Sequence, residues 1–517
     1  MSISSSFDVE YPPTMEFCLS QPDLALRAPP KCKPIITIAE TRSKRKARLA
    51  LSRYLSPIYS LPSEMLSSIF TEYCPMPVDP DKQHIPQLVL TQVCSTWRQV
   101  AHGTPRLWSR FQALYGSNGI TVHGDKIFTW LNRSGEVPLD IAIRPKDTIF
   151  SPPSDILGCM NSFCHRIRTL NLAIPLHVLL HLNLLPGFPS LTVLNIRLIK
   201  NELIDSAPTK IKAKDTRLTE SECQQLSLLR NSPRLTELWF VGPELSGEMI
   251  PEVLSLLLPV SQLRILHLIV AAETCHILMD PLAYLKILMG SCASLEHCAL
   301  RCPQWIPGVI VPNITFPSLG TLDLLDWHDE CESRFLSAIT VPALRSFRTN
   351  HIYHGGFVNG GFASDMMELQ KRSSASLRSL DLVGMHELSV DDILSMLAVL
   401  PALRTLGLNH CDLDTTSLMQ GLEYREGERL LVPELRSFSF KNSQLGPKGS
   451  DRYIADMVES RNSTGNDDEQ IRPAKLRRIS KLTVIFEKQL LTQAVTRRLK
   501  NSVGDLDLGE NLRKKRV

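Results

Sequence analysis

The residues that could do chemistry in this 517-residue chain are few and widely scattered. The glycine-rich run GGFVNGG, residues 355–361, is a candidate for a phosphate-binding loop. It lacks the Lys-Ser or Lys-Thr pair that completes such loops, and its glycines do not have the GxGxxG spacing of a dinucleotide site. A loop that connects two structural elements is the better interpretation.

A second candidate is the group of His297, Cys298 and Cys302, which has ligand types that zinc prefers. Cys298, however, falls at a position where neighbouring segments of similar pattern have a leucine. We therefore predict that Cys298 belongs to a hydrophobic core, and that the chain has neither a metal site nor a cofactor.

Nucleophilic and acid–base groups give no better site. His410 and Cys411 are adjacent, but neighbouring residues of a strand point to opposite faces. Asp323 and Asp381 lie in separate segments and are better explained as surface contacts than as the paired carboxylates of a hydrolase. The sequence thus predicts a protein that is not an enzyme.

The composition indicates an intracellular chain with two or more folded parts. A formal net charge of +4 on this length does not predict a nucleic-acid partner. The N-terminal residues lack the plan of a signal peptide, and no run of about 18 apolar residues would cross a membrane. The 13 cysteines are scattered without CxxC pairs, which favours reduced thiols. We expect the protein in the cytoplasm and/or the nucleus.

Most of the chain repeats the pattern L-x-x-L-x-L. It begins at residues 167, 191, 235, 263, 295, 319, 344, 377, 403, 435 and 479. Most of the steps lie near the roughly 20 to 29 residues of leucine-rich repeats. Helix-like segments separate several of them, and Ser389 with Asp392 has a capping-box pattern. One strand and one helix per repeat predict an α/β fold, a curved leucine-rich-repeat solenoid with a parallel concave sheet and outer helices.

The residues between the leucines are predicted to face the concave side, because side chains alternate along a strand. The candidate substrate-binding residues on this side are Trp239, His267, Arg301, Asp323, Arg348, Asp381 and Asn409; Asn195, Arg197, Asn350 and Lys441 are predicted to share it. A mixed face with an exposed tryptophan is typical of a protein-binding surface. For each residue, simple solvation of the sheet is an equally good explanation.

A compact helical signature precedes the repeats. It begins with LPSEMLSSIF, residues 61–70, in which apolar residues recur at three and four positions. After a linker rich in proline, a second helix is predicted over residues 88–100, followed by an apolar plug of Leu107 and Trp108. The apolar content of this unit exceeds what about fifty residues can bury alone, so we predict that it docks on a partner.

These residues resemble the F-box. The family pattern has a Leu-Pro pair, an acidic residue, an Ile-Phe pair, a Val-Cys-x-x-Trp-Arg segment and a Leu-Trp end. In this chain the matching residues are Leu61, Pro62, Glu64, Leu66, Ile69, Phe70, Val93, Cys94, Trp97, Arg98, Leu107 and Trp108. The form is similar to the F-box-like domain common in mushroom-type fungi, and residues 128–143 resemble the helix and strand that join that domain to its repeats.

The resemblance implies a function. In the F-box family these residues bind the Skp adaptor of a cullin–RING ubiquitin ligase, while the repeats choose the protein substrate. We therefore expect Leu61, Pro62, Leu66, Ile69 and Phe70 to be partly exposed in the free chain.

The sequence predicts five parts, with two alternative functions left open. The parts are a disordered tail (1–34), a linker helix (35–54), an F-box-like domain (55–115), the repeat solenoid (120–500) and a disordered basic tail (501–517). One alternative is an F-box scaffold without ubiquitin transfer. The other is a repeat-based binding module, nuclear on the strength of the basic runs KRKAR and RKKRV.

Overall fold

The structure is a computed structural model that describes residues 57–74, 86–115, 124–145, 160–174, 187–199, 232–242, 260–270, 281–301, 311–327, 329–351, 361–427, 430–442, 445–447, 449–462, 476–487 and 490–509. The chain divides into two compact units, residues 1–235 and 236–517. The predicted tail 1–34, the predicted linker helix 35–54, most of the glycine-rich run and residues 510–517 lie outside the described residues.

The first unit starts with three short helices, α1 (Ser63–Tyr73), α2 (Pro86–Val93) and α3 (Ser95–His102). We predicted one helix over residues 88–100, and this prediction is wrong. The backbone of Cys94 is extended, with φ −159° and ψ 173°, and its Sγ accepts a hydrogen bond from the backbone N of Trp97 at 3.4 Å. The first amides of a helix have no hydrogen-bond partner within the helix. The side chain of Cys94 accepts from one of them, so a new helix begins after Cys94 and the chain bends here.

Parallel strands follow the helices in the first unit. They are β1 (Arg110–Tyr115), β2 (Leu139–Pro145), β3 (Ile167–Ile174) and β4 (Val193–Leu198), with α4 (Gly124–Arg133) between β1 and β2. The Nε1 of Trp108 donates to the carbonyl of Ala101 at 2.8 Å, and its ring lies 4.6 Å from that of Trp130. Trp108 and Leu107 are buried, which confirms the predicted plug. The plug ties the helices to β1 and α4.

Ten described strands of the second unit form one parallel sheet in chain order. They are β5 (Glu237–Gly242), β6 (Ile265–Val270), β7 (His297–Arg301), β9 (Thr321–Leu325), β11 (Ser346–Asn350), β12 (Ser379–Val383), β13 (Thr405–Asn409), β14 (Ser437–Asn442), β15 (Lys481–Phe486) and β16 (Asp505–Asp507). Two short strands, β8 (Ile314–Thr315) and β10 (Ile339–Thr340), pair with each other.

Helices connect these strands. They are α5 (Pro281–Ser291), α6 (Asp329–Ala338), α7 (Phe362–Ser373), α8 (Val390–Leu397), α9 (Thr415–Leu422), α10 (Asp451–Asn462) and α11 (Gln493–Ser502). From α6 to α11 each helix packs against the next. The predicted cap of α8 is confirmed: the Oγ of Ser389 accepts from the N of Asp392 at 3.1 Å, and the carboxylate of Asp392 accepts from the N of Ser389 at 3.1 Å. None of the described helices is long and apolar enough to span a bilayer.

Each of the predicted L-x-x-L-x-L segments contains a strand, and its leucines lie in the core. Leu238, Leu266, Leu380 and Leu406, for example, are all 0% exposed. Strand β16 was not predicted, because residues 501–517 were expected to be a disordered tail. Leu506 pairs in register with Leu482 of β15, so that expectation is wrong for the described residues 501–509.

Two of the core positions that are not leucine have side chains with polar contacts. Cys411 closes the turn after β13, with its Sγ directed at the carbonyl oxygens of Asn409 at 3.4 Å and Leu382 at 3.6 Å. Burial raises the pKa of its thiol to about 12, so it stays protonated. Thr349 of β11 is 0% exposed, and its Oγ1 donates to the carboxylate of Glu332 on α6 at 2.6 Å. A buried hydroxyl needs such a partner.

Candidate functional site

The sheet of the second unit has an open face, formed by the strand residues that alternate with the buried leucines. Strand register places the following predicted residues in its middle row: Trp239, His267, Asp323, Arg348 and Asp381. The next row contains Arg301, Asn350, Asn409 and Lys441. The seven predicted substrate-binding residues therefore share one face, as the alternation rule requires.

The residues predicted on β4 behave differently. Asn195 is only 5% exposed, and its amide donates to the side chain of Asn171. Asn195 is therefore buried in the first unit rather than displayed on a binding face. Arg197, on the same strand, is exposed.

Three aromatic side chains stack at one end of the open face. The ring centroids of Trp239 and His267 lie 3.5 Å apart with an interplanar angle of 7°, and those of His267 and His297 lie 4.8 Å apart. The Nε1 of Trp239 donates to the carboxylate of Glu237 at 2.5 Å. These contacts fix the orientation of the half-buried indole. Rigid aromatic side chains of this type are common at protein interfaces.

His267 is only 8% exposed, so it stabilises the position of Trp239 and has little accessible surface for a ligand. Burial, together with the neighbouring His297, lowers its pKa to about 3. The ring is therefore neutral at physiological pH, and its contact with Trp239 is stacking between uncharged rings. His297 in turn places its Nε2 at 3.5 Å from the carboxylate of Asp323.

A polar network crosses the other strands of the face. The Oδ1 of Asp381 accepts from the amide of Asn409 at 2.9 Å, and its Oδ2 lies 3.3 Å from the Nε of Arg348. Ser439 then donates to the Oδ1 of Asn409 at 3.2 Å. Four successive strands are thus linked through side chains on the solvent side.

Arg301 takes part in a similar group near the ends of the strands. Its Nε lies 2.7 Å from the carboxylate of Asp326, which also accepts from the amide of Asn350 at 3.1 Å. Like Arg348, Arg301 already has an acidic partner within the chain. A ligand would have to compete with these internal carboxylates for either guanidinium.

The architecture decides the fold family. Parallel strands stack in register with leucines buried beneath them, and a helix returns the chain from one strand to the next. This is a leucine-rich-repeat fold.

No family model matches the chain, and no curated protein matches its sequence. The leucine-rich repeat-containing protein LegL7 from Legionella pneumophila is similar, with a TM-score of 0.33 and 12% identity over 68% of this chain and 97% of that chain. So is a chain of the yeast Rad7 and Elc1 complex, with a TM-score of 0.30 and 12% identity over 86% of this chain and 98% of that one. At this level of identity the likenesses concern the fold alone.

Ahead of the leucine-rich repeats, the helical cluster buries part of the predicted adaptor-binding set. Leu66 is 3% and Phe70 1% exposed, and the ring of Phe70 lies 4.9 Å from that of Trp97 on α3. The expectation that Leu66 and Phe70 are partly exposed is therefore wrong, because α1 packs this side against α3. Leu107 and Trp108 are equally inaccessible.

Other side chains of the cluster are open to a partner. Among the predicted residues, Pro62, Glu64, Ile69 and Val93 are exposed, and Leu61, Cys94 and Trp97 are partly exposed. Met65 and Tyr73, which the sequence analysis did not select, are exposed by 52% and 57%. The spacing of Met65, Ile69 and Tyr73 in the sequence could have identified this exposed apolar side, because residues four apart lie on the same side of a helix.

His297 was also missed as a member of the open face. Its proximity in sequence to Cys298 and Cys302 suggested a metal pattern, yet Cys298 is 1% exposed in the core and His297 points the other way. In the part of the chain that the structure describes, no three His, Cys, Asp or Glu side chains are arranged to hold a metal ion.

Proposed function

We propose that this chain is the substrate-recognition subunit of a Skp–cullin–F-box ubiquitin ligase. Helices α1–α3 would bind a Skp-type adaptor, and the leucine-rich repeats would bind the target protein. The observation that carries the proposal is the set of exposed apolar side chains on α1 and α2: Met65, Ile69, Tyr73, Val89 and Val93, each between 39% and 57% exposed. Met65, Ile69 and Tyr73 recur every four residues on one side of α1, and exposed apolar groups in such an arrangement mark interaction sites. The F-box resemblance supplies the kind of partner.

In this role the protein performs no covalent chemistry and needs no cofactor. It holds a target lysine near a conjugating enzyme charged with ubiquitin, so its contribution is proximity. The open face of the repeats is the surface for the target, with Trp239 as its rigid apolar anchor. We propose that it works in the cytoplasm and/or the nucleus.

Capture of a purified Skp-type adaptor by the full-length chain tests the proposal. The double variant Met65→Asp, Ile69→Asp should lose the adaptor, because it places two charges in an apolar interface. The pair Leu61→Ala, Pro62→Ala should also lose it. The matched control is Met289→Asp, Leu490→Asp, which alters side chains that are 49% and 62% exposed in the second unit. Undiminished capture by both of these double variants, with unchanged melting, would refute the adaptor site.

Two measurements separate the alternatives. Co-purification of a cullin with the chain would argue against an F-box scaffold that works without ubiquitin transfer. Failure to bind any Skp adaptor would favour the repeat-based binding module.

A further inference from the structure

Four arginines occupy the same position in four successive repeats. Arg345, Arg378, Arg404 and Arg436 each follow the first leucine of an L-x-x-L-x-L segment. The carbonyl of Arg345 accepts from the N of Arg378 at 2.7 Å, that of Arg378 from Arg404 at 2.7 Å, and that of Arg404 from Arg436 at 2.8 Å. The four residues therefore stack at the strand spacing of about 4.8 Å, at the N-terminal ends of β11–β14. We call them the arginine ladder.

Most of the charge on this ladder has no acidic counterpart among the residues that the structure describes. Arg404 pairs with Glu434, with 2.9 Å between Nε and Oε2. Arg345, Arg378 and Arg436 are exposed, and no acidic side chain among the described residues lies within ion-pair distance of them. Like charges on neighbouring strands repel, so this arrangement lowers the stability of the free chain.

In one earlier repeat the arginine at this position is paired with an acidic side chain. Arg264 of the repeat that contains β6 faces Glu296 of the next repeat, with 2.7 Å between the guanidinium and the carboxylate. An acidic residue at this position can thus pair with the arginine of the preceding repeat. From Arg345 to Arg436 all four repeats have arginine at this position, which favours an anionic partner.

A row of hydroxyl groups lies beside the ladder. The residue after each arginine is Ser346, Ser379, Thr405 or Ser437, and these four pair in register across the same strands. They belong to the open face, so their hydroxyls can donate hydrogen bonds to a ligand that lies across the guanidinium groups.

We propose that the arginine ladder binds an acidic segment of a protein partner, a run of three or four Asp or Glu residues in extended conformation. From Arg345 to Arg436 the ladder covers three strand spacings, about 14 Å. Four extended residues span about 13 Å, and every second carboxylate of such a run faces the ladder. Guanidinium forks bind carboxylates with two parallel hydrogen bonds. The inference rests on the proposed function only in that the repeats bind a protein; it names the chemistry of that target and is independent of the adaptor.

A nucleic acid fits this surface less well. Single strands bind where basic side chains border aromatic platforms for the bases. The indole of Trp239 lies on β5, four strand positions from β11. Beside the ladder the open face has the hydroxyl groups of Ser346, Ser379, Thr405 and Ser437 instead of aromatic rings.

Fluorescence anisotropy with the full-length chain and no adaptor tests the proposal. The probe is a short labelled peptide with a central Glu-Glu-Asp-Glu run, compared with the same peptide containing Gln and Asn there. The triple variant Arg345→Gln, Arg378→Gln, Arg436→Gln should bind the acidic peptide at least about tenfold more weakly, since each surface ion pair contributes a modest share. The matched control Lys286→Gln, Lys371→Gln, Lys500→Gln removes the same charge from exposed sites on α5, α7 and α11. It should stay within about twofold of the wild type.

The outcomes are distinct. Equal affinity for the acidic and amide peptides, or equal loss in the two triple variants, would overturn the ladder as a site. A single-stranded oligonucleotide that binds more tightly than the acidic peptide, and is lost in the arginine variant, would overturn the partner class. Because the arginine variant removes repulsion, its melting temperature should not fall. Adaptor capture is measured in a separate assay. Failure of the arginine ladder therefore leaves the adaptor site testable, and failure of the adaptor site leaves the ladder testable.

Discussion

Gly407 lies directly beside the carboxylate of Asp381 in the middle row of the open face. A Cβ placed on Gly407 would come within 2.2 Å of the Oδ1 of Asp381, the same atom that accepts from Asn409. The bare glycine therefore creates the space in which Asp381 connects Arg348 of β11 to Asn409 of β13.

The variant Gly407→Ala should displace this carboxylate and weaken binding of the target protein. Asp381 is partly exposed and can turn towards solvent, so the free energy of unfolding should fall by less than about 1 kcal/mol. Gly504→Ala is the control, because a Cβ there has no heavy atom within 4 Å. Full target capture by Gly407→Ala would show that the network of Asp381 has no role in binding.

Stability of the second unit should fall in mild acid because of His267. Its folded-state pKa of about 3 lies below the ordinary value of 6.5. Between these values the unfolded chain binds a proton that the folded chain does not, so stability is complete above about pH 6.5 and declines as the pH falls towards 3. At pH 5 the loss should be on the order of 2 kcal/mol.

Urea unfolding at pH 7 and pH 5 measures this effect. The variant His267→Phe keeps a stacked ring but has no titrating group, so the difference between the two pH values should shrink. An identical difference in wild type and variant would mean that another group is responsible.

The buried leucines of the repeats should be costly to truncate. Leu380 and Leu406 are 0% exposed on neighbouring strands. Either change to Ala should lower the free energy of unfolding by about 2–5 kcal/mol, through lost burial and a residual cavity. Lys371→Ala, at an exposed position of α7, should have almost no effect. Chemical denaturation of the three variants provides the comparison.

Trp239 should contribute more to target binding than any exposed residue on the helices. Trp239→Ala should weaken capture of the target by more than about 1 kcal/mol while leaving adaptor capture intact. Lys371→Ala again serves as the control in the same assay, with melting curves to exclude unfolding. If Lys371→Ala reduces capture and Trp239→Ala does not, the target binds on the helical side of the repeats.

The repeated strands could be predicted from the sequence because their information is local. Alternating leucines determine which side of each strand is buried, and the same alternation places Trp239, Asp323 and Asp381 on the opposite face. The prediction of the α/β repeat fold is confirmed by the register of the sheet.

The tertiary structure decided how those residues interact. Trp239 stacks on His267, and the amide of Asn409 donates a hydrogen bond to Asp381. Both contacts join residues on different repeats, so strand pairing and side-chain rotamers had to be known. The local pattern of residues 61–70 did not reveal which side of α1 meets α3, and Phe70 proved to be buried while Ile69 is exposed. Likewise Thr349 breaks the leucine pattern, and only the packing of α6 against β11 provides the carboxylate of Glu332 that satisfies its hydroxyl. Sequence periodicity specifies which face of an element is apolar, whereas the partner of each face depends on contacts distant along the chain.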